Sequence, residues 1–238
     1  MRKSLVVVAM NIKQVFAVYL SFFLIFWSHP VMALPQNPTL IQGGATWTQS
    51  QQQMLINQTT GKAIINWSDF SIAAGELTQI MQPGANSALL NRVTGGNLSE
   101  IYGSLKANGS VYLINPNGIM IGASGIIDVN TFVASTLDVN NDAFMAGGDM
   151  IFKGDSTAEI KNLGVINANG GDVFLIGHKI ANEGTINAPE GTVGLAAGDE
   201  VLLKASGDQR IFVRVKKKKI VEATEDETVE DETVAEVV

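Results

Sequence analysis

The sequence predicts an all-β chain wound as a parallel β-helix, a solenoid of about 20 residues per coil, with a β cap at its N-terminal end. Three observations predict it. The first is an internal repeat. Asn162-Leu-Gly-Val-Ile-Asn-Ala168 returns as Asn182-Glu-Gly-Thr-Ile-Asn-Ala188, and Gly171-Asp-Val-Phe-Leu175 returns as Gly191-Thr-Val-Gly-Leu195, every equivalence 20 residues apart. A unit of this length is too short for a propeller blade and lacks the helix of a leucine-rich repeat. The second is a series of short apolar runs: Val111–Ile114, Ile119–Ile121, Ile126–Val129, Val173–Ile176 and Val193–Leu195. They are rich in β-branched residues and bounded by Gly, Asn or Asp, the signature of strands. The third is composition. Twenty-four glycines, 16% charged residues and very little helical periodicity favour strands and turns over helices.

Taken in order, residues 1–33 read as a secretory leader. Arg2, Lys3 and Lys13 form a basic start, Val15 to Trp27 is an apolar run of thirteen residues, and Val31-Met32-Ala33 carries small residues at the positions a signal peptidase reads. Thirteen residues fall short of the roughly 20 a membrane span needs. Cleavage is expected after Ala33, leaving a chain of 205 residues that begins at Leu34, enough for one sizeable domain. The domain is expected over 34–215. Its cap is placed at Leu40 to about Ile72, with Trp47, Trp67 and Phe70, because a solenoid end is an exposed sheet edge that needs cover.

In the coils, Gly103–Gly109 and Val111–Ile114 align with Gly164–Gly170 and Val173–Ile176 at an offset of 61 to 62, read as about three units. The interior is predicted to hold Ile166, Val173, Leu175, Ile186, Val193 and Leu195 in ladders, with Asn167 and Asn187 forming an amide ladder at stacked turns. Residues 216–238 read as a charged tail. Lys216–Lys219 is followed by Glu225-Asp-Glu-Thr-Val229 and its exact copy Glu230–Val234. A segment with so little apolar area cannot offset its ordering entropy, so 220–238 is expected to be disordered.

The most pointed motif is Asn115-Pro116-Asn117-Gly118, set between two apolar strands. Pro116 fixes its own φ and keeps Asn115 out of the α region, while Asn117 and Gly118 tolerate left-handed backbone, so the motif is a tight corner. It stands in a run of segments: Ala63-Ile-Ile-Asn-Trp-Ser-Asp-Phe-Ser-Ile72, Asn91-Arg-Val-Thr-Gly-Gly96, Ile101-Tyr-Gly-Ser104, the corner itself and Phe132-Val-Ala-Ser-Thr-Leu137. Together, over about residues 35–215, they resemble the N-terminal secretion domain of filamentous haemagglutinin, also called the haemagglutination activity domain. They are most similar to the high-molecular-weight adhesin branch, because Asn91-Arg92-Val-Thr94 stands where other members carry Asn-Pro-Asn-Leu.

The resemblance implies a right-handed parallel β-helix and a role in two-partner secretion. The chain would cross the inner membrane by the general secretion machinery and pass through the periplasm. An outer-membrane β-barrel transporter would then recognise it for export to the surface of a Gram-negative-type bacterium. It marks Asn115, Pro116, Asn117, Gly118, Asn91 and Arg92 as the recognition or turn residues. Arg92 is expected to pair with Asp69 or Glu100, or to stand solvated. The alternative is a stand-alone adhesin holding a host or matrix ligand, or a truncated remnant of a larger adhesin.

Other classes find little support in the residues. Without cysteine, no disulfide locks the chain before export. Removing the leader moves the formal net charge from −7 to −10, and eight of the 23 carboxylates fall in the last nineteen residues, so a nucleic-acid partner is not indicated. His178 alone would remain after cleavage, in a turn, which excludes a three-histidine metal site and gives a Ser-His-Asp set one candidate base with no nucleophile elbow around it. Asp128, Asp138, Asp142, Asp149 and Asp155 are scattered without a calcium-binding pattern. No catalytic residue, metal or cofactor is expected.

Overall fold

The computed structural model describes residues 33–205, 210–214 and 234–236. The expected leader up to Met32, the lysine run 216–219 and the stretch 220–233 of the expected tail lie outside the described residues. Three parallel sheets form the sides of a β-solenoid of about seven turns with about 22 residues each. The first sheet stacks Lys62–Trp67, Ala88–Val93, Ser110–Ile114, Thr131–Ser135, Val173–Gly177 and Val193–Ala197. The second stacks Ser99–Ile101, Ile119–Ile121, Glu159–Asn162 and Lys179–Asn182. The third runs from Gln53–Gln58 through Leu77–Met81, Ser104–Ala107, Ile126–Val129 and Val165–Ala168 to Thr185–Asn187.

The register explains where the period of 20 holds. Val173 pairs with Val193 and Ile166 with Ile186, one period apart. Earlier coils have longer corners, so Lys62 pairs with Ala88 and Ser104 with Ile126. The 62-residue offset spans two coils rather than three. Val111 pairs with Phe132 and Phe132 with Val173, and the second of these steps contains an excursion.

The excursion leaves the solenoid as strand Asp138–Val139, helix Asn141–Ala146 and strand Met150–Lys153. Asn140 caps the helix, its side chain accepting from Asp142 N at 2.8 Å and Ala143 N at 3.1 Å, and Gly147 ends it at φ +72°. With Glu200–Leu203 and Ile211–Arg214 these strands form an antiparallel flap over the outer face of the first sheet. That sheet is therefore buried on both sides. Leu89, Leu113, Phe132 and Leu175 point into the solenoid, while Leu90, Ile114, Val133, Phe174 and Ile176 pack under the flap with Phe144, Phe152 and Val201. Apolar doublets rather than alternation are what two-sided burial requires. The segment read as a disordered tail differs at its end. Val234–Glu236 forms a strand antiparallel to Phe212–Arg214.

The cap is shorter than expected. Thr39–Gln42 lies antiparallel on Lys62–Trp67 and Ala45–Gln49 antiparallel on Gln53–Gln58, covering the first edges. Residues 53–67 already form the first parallel coil. Trp47 packs partly buried on the core, and Trp67 meets Phe70 edge-on at 5.5 Å.

The predicted ladders are present, with a gradient of burial. Ile166, Val173 and Leu175 are fully buried, whereas Val193 and Leu195 in the last coil are 43% and 41% exposed. Asn187 donates to Asn167 at 2.8 Å, on the strands rather than at a turn; a second amide rung, Asn162 to Asn182, also 2.8 Å, joins the last residues of two stacked strands. Leu175→Ala is expected to cost about 2–5 kcal/mol of unfolding free energy, as a buried leucine truncation does. Leu195→Ala should cost well under half as much. Urea denaturation of the two variants checks this, and equal losses would mean that the last coil is covered in solution.

Candidate functional site: a ladder of corners

The corner at residues 115–118 joins the first sheet to the second. Asn115 N donates to Ser135 O at 2.9 Å and Gly118 N returns to Asn115 O at 3.0 Å, closing the turn. The Asn115 side chain is fully buried. Its Nδ2 donates to Asn97 O and Ser99 Oγ, each at 2.9 Å, and its Oδ1 accepts from Asn117 N at 2.9 Å and Asn117 Nδ2 at 3.0 Å. Every polar position of this amide is used. Asn117 Nδ2 also donates to Gly95 O at 2.7 Å.

Gly118 sits at φ +108°, and a Cβ there would stand 2.9 Å from Leu98 Cδ1 and 3.0 Å from Glu159 O. Only glycine fits this position. Pro116 and Asn117 face solvent, and Pro116 O accepts from Ser156 Oγ at 2.6 Å.

These bonds reach the preceding corner, which follows Asn91–Thr94. Thr94 N and Oγ1 both donate to Trp67 O, and Asn97 Nδ2 donates to Asp69 Oδ2 at 3.1 Å. Three successive corners, at Trp67–Asp69, Thr94–Asn97 and Asn115–Gly118, are thus laced along one edge of the solenoid. The two segments singled out in the sequence meet there, through Gly95 and Asn97.

Asn91 and Arg92 themselves do not face that edge. Asn91 is fully buried in the interior, accepting from Trp67 Nε1 at 3.0 Å and donating to Tyr112 O at 3.3 Å. Arg92 does not pair with Asp69 or Glu100. Its Nε reaches Asp138 Oδ1 at 2.8 Å, Nη1 reaches Asn141 Oδ1 at 2.7 Å and Nη2 reaches Val139 O at 2.8 Å. Because its side chain is only 13% exposed, this guanidinium ties the excursion to the solenoid. Asp138 lies 46 residues away, and nothing local announces it.

Sequence reasoning singled out Gly95 within Asn91–Gly96 but missed Asn97 and Ser99 as corner partners; the Gly95-Gly-Asn97 turn was the available signal. It also missed a cavity of about 200 Å³ between flap and first sheet, lined by Lys62, Tyr112, Asp172 and Arg210. Burial pushes the Tyr112 hydroxyl up and the Lys62 ammonium down from their ordinary values. The charged groups there have partners: Lys62 Nζ donates to Phe144 O at 2.7 Å, and Arg210 pairs with Asp172. His178 is exposed, with Nδ1 3.4 Å from Asp199 Oδ1.

A capped parallel β-solenoid with an antiparallel flap and a laced corner edge defines a class of secretion domain, and comparison with known proteins places the chain within it. Residues 32–236 match the family of the TPS secretion domain, and the chain belongs to that family. It is 36% identical over 178 residues to a heme/hemopexin-binding protein of Haemophilus influenzae, covering 69% of this chain and 19% of that protein. A second heme/hemopexin-binding protein of Haemophilus influenzae is 39% identical over 106 residues, 44% of this chain and 11% of that protein. The chain thus spans less than a fifth of these relatives' lengths.

The crystal structure of the HMW1 secretion domain from Haemophilus influenzae superposes with a TM-score of 0.64 at 38% identity, over 71% of this chain and 46% of that one. The filamentous hemagglutinin secretion domain superposes at 0.52 and 15% identity, over 72% and 65%, a likeness of fold. Domains of this family belong to secreted or surface-exposed proteins of Gram-negative bacteria.

Proposed function

We propose that this chain is the export address of a two-partner secretion system, recognised without catalysis by an outer-membrane β-barrel transporter. The observation that carries the reading is the division of labour within one corner. Asn115 and Gly118 are buried and locked, while Pro116 and Asn117 are held outward beside the exposed Gly96, Asn97 and Leu98. A rigid, exposed turn on a repetitive scaffold is a surface a partner can read. The leader delivers the chain to the general secretion machinery and is removed after Ala33. In the periplasm the chain has no disulfide to hold it folded. Once outside, coils add one upon another to the capped first turn, which makes return unfavourable.

The test separates recognition from folding. Pro116→Ala with Asn117→Ala removes exposed groups and the two bonds of Asn117 Nδ2, to Gly95 O and to Asn115 Oδ1, while the Asn117 N–H to Asn115 Oδ1 stays, so the melting temperature should move by only a few degrees. Secretion beside the transporter of the source bacterium should nevertheless fall several-fold. Unchanged secretion of this double variant would remove the corner from transporter recognition.

A further inference from the structure

Glu76 is a buried carboxylate, 5% exposed, in the turn between the first two coils. Its Oε2 accepts from Ala73 N at 2.8 Å, and both oxygens accept from Ala33 N, at 3.1 and 3.3 Å. Among the described residues no Lys, Arg or His forms an ion pair with it. Lys106 lines the same shallow groove and is exposed. A buried carboxylate lacking a cation is costly, because hydration is lost and no opposite charge replaces it. A single amide N–H straddled by two carboxylate oxygens under-uses them. An ammonium, with three donors and a charge, would serve them better.

The place of that nitrogen in the chain points to a cation. Ala33 is the residue at which the leader is expected to end. The chain immediately after it is already fixed: Leu34 is fully buried in the core, Gln36 N donates to Asp69 O at 2.9 Å and Ser68 N donates to Gln36 O at 3.0 Å. Cutting after Ala33 removes that amide with the leader and leaves the next backbone nitrogen, that of Leu34, one residue further along the chain, as a positively charged amine to take its place at Glu76. We propose that Glu76 is the receptor for the α-ammonium released by leader removal, and that this ion pair locks the first coil only in the processed chain. Before the cut, the same site holds an uncharged amide and a continuing polypeptide, so the first coil is less firmly closed while the leader is attached. The inference rests on residues 1–33 being a cleaved leader.

The experiment starts with N-terminal sequencing of exported protein. A first residue of Met1 would defeat the leader reading itself, and the inference with it. With processed protein in hand, the native N-terminus is compared with a form carrying Gly-Ser before Leu34, each with Glu76 and with Glu76→Gln. The extension should lower the melting temperature when Glu76 is present and have little effect in Glu76→Gln, a non-additive pair. The α-amine should also titrate at higher pH with Glu76 than with Glu76→Gln, a readout that a purely packing role would not move. Should Glu76→Gln fail to fold, the comparison of native and extended N-termini in the Glu76 background decides alone. Additive effects, or an α-amine that titrates alike with and without Glu76, would overturn the proposal.

Discussion

Asn115→Asp should abolish both the stability of the corner and export of the chain. The substitution preserves shape and changes chemistry. Asn115 Nδ2 donates to Asn97 O and Ser99 Oγ, whereas an ionised aspartate has only acceptors and would turn an oxygen toward the Asn97 carbonyl. The side chain is fully buried, so water cannot relieve the conflict. Two lost bonds and a buried charge facing an oxygen should cost about 3 kcal/mol or more, a large part of a domain stability of roughly 5–15 kcal/mol. Asn115→Ala removes the same donors along with the acceptor of Asn117 N, and should cost somewhat less because no charge is buried. Urea denaturation gives the stability, and immunoblotting of medium against periplasm gives the export. An Asn115→Asp protein as stable as the parent would show that the corner does not hold the coils together.

Arg92→Ala should release the excursion without unfolding the solenoid. Three bonds of 2.7 to 2.8 Å join this guanidinium to Asp138, Asn141 and Val139, and hydrogen bonds to a charged group contribute about 1.5–3 kcal/mol each where they are protected from water. Solvent reaches the Asp138 side of the pair, which is 59% exposed, so the ion pair itself adds little. Arg92→Lys cannot restore the set, because an ammonium lacks the planar fork that meets three acceptors at once. Limited proteolysis should cut between residues 138 and 153 much faster in Arg92→Ala, while urea unfolding of the coils stays close to the parent. Unchanged protease resistance in that segment would show that apolar packing of Phe144 and Phe152 alone holds the excursion.

The coils were legible because stacking repeats chemistry. Ile166 above Ile186 and Leu175 above Leu195 write the period directly into the residues. The corner was legible because Asn115, Pro116 and Gly118 each impose a local backbone condition. The flap was not, since it arises from contacts distant in sequence. Its only trace was the apolar doublets Leu89-Leu90, Phe132-Val133 and Leu175-Ile176, whose second members need a partner outside the solenoid. The same excursion disguised two coils as three in the spacing between Val111 and Val173. Arg92 was visible as an unusual cation, but its acceptors lie at the start of the excursion. Asn91 belongs to a motif-like segment and nevertheless sits inside, satisfying the Trp67 indole and the Tyr112 carbonyl.

The most direct test of the export reading is secretion of the intact chain by its source bacterium with and without the outer-membrane transporter. The account predicts processed chain starting at Leu34 in the medium or on the cell surface when the transporter is present. When it is absent, the same chain should accumulate in the periplasm. Equal amounts outside the cell in both strains would contradict it.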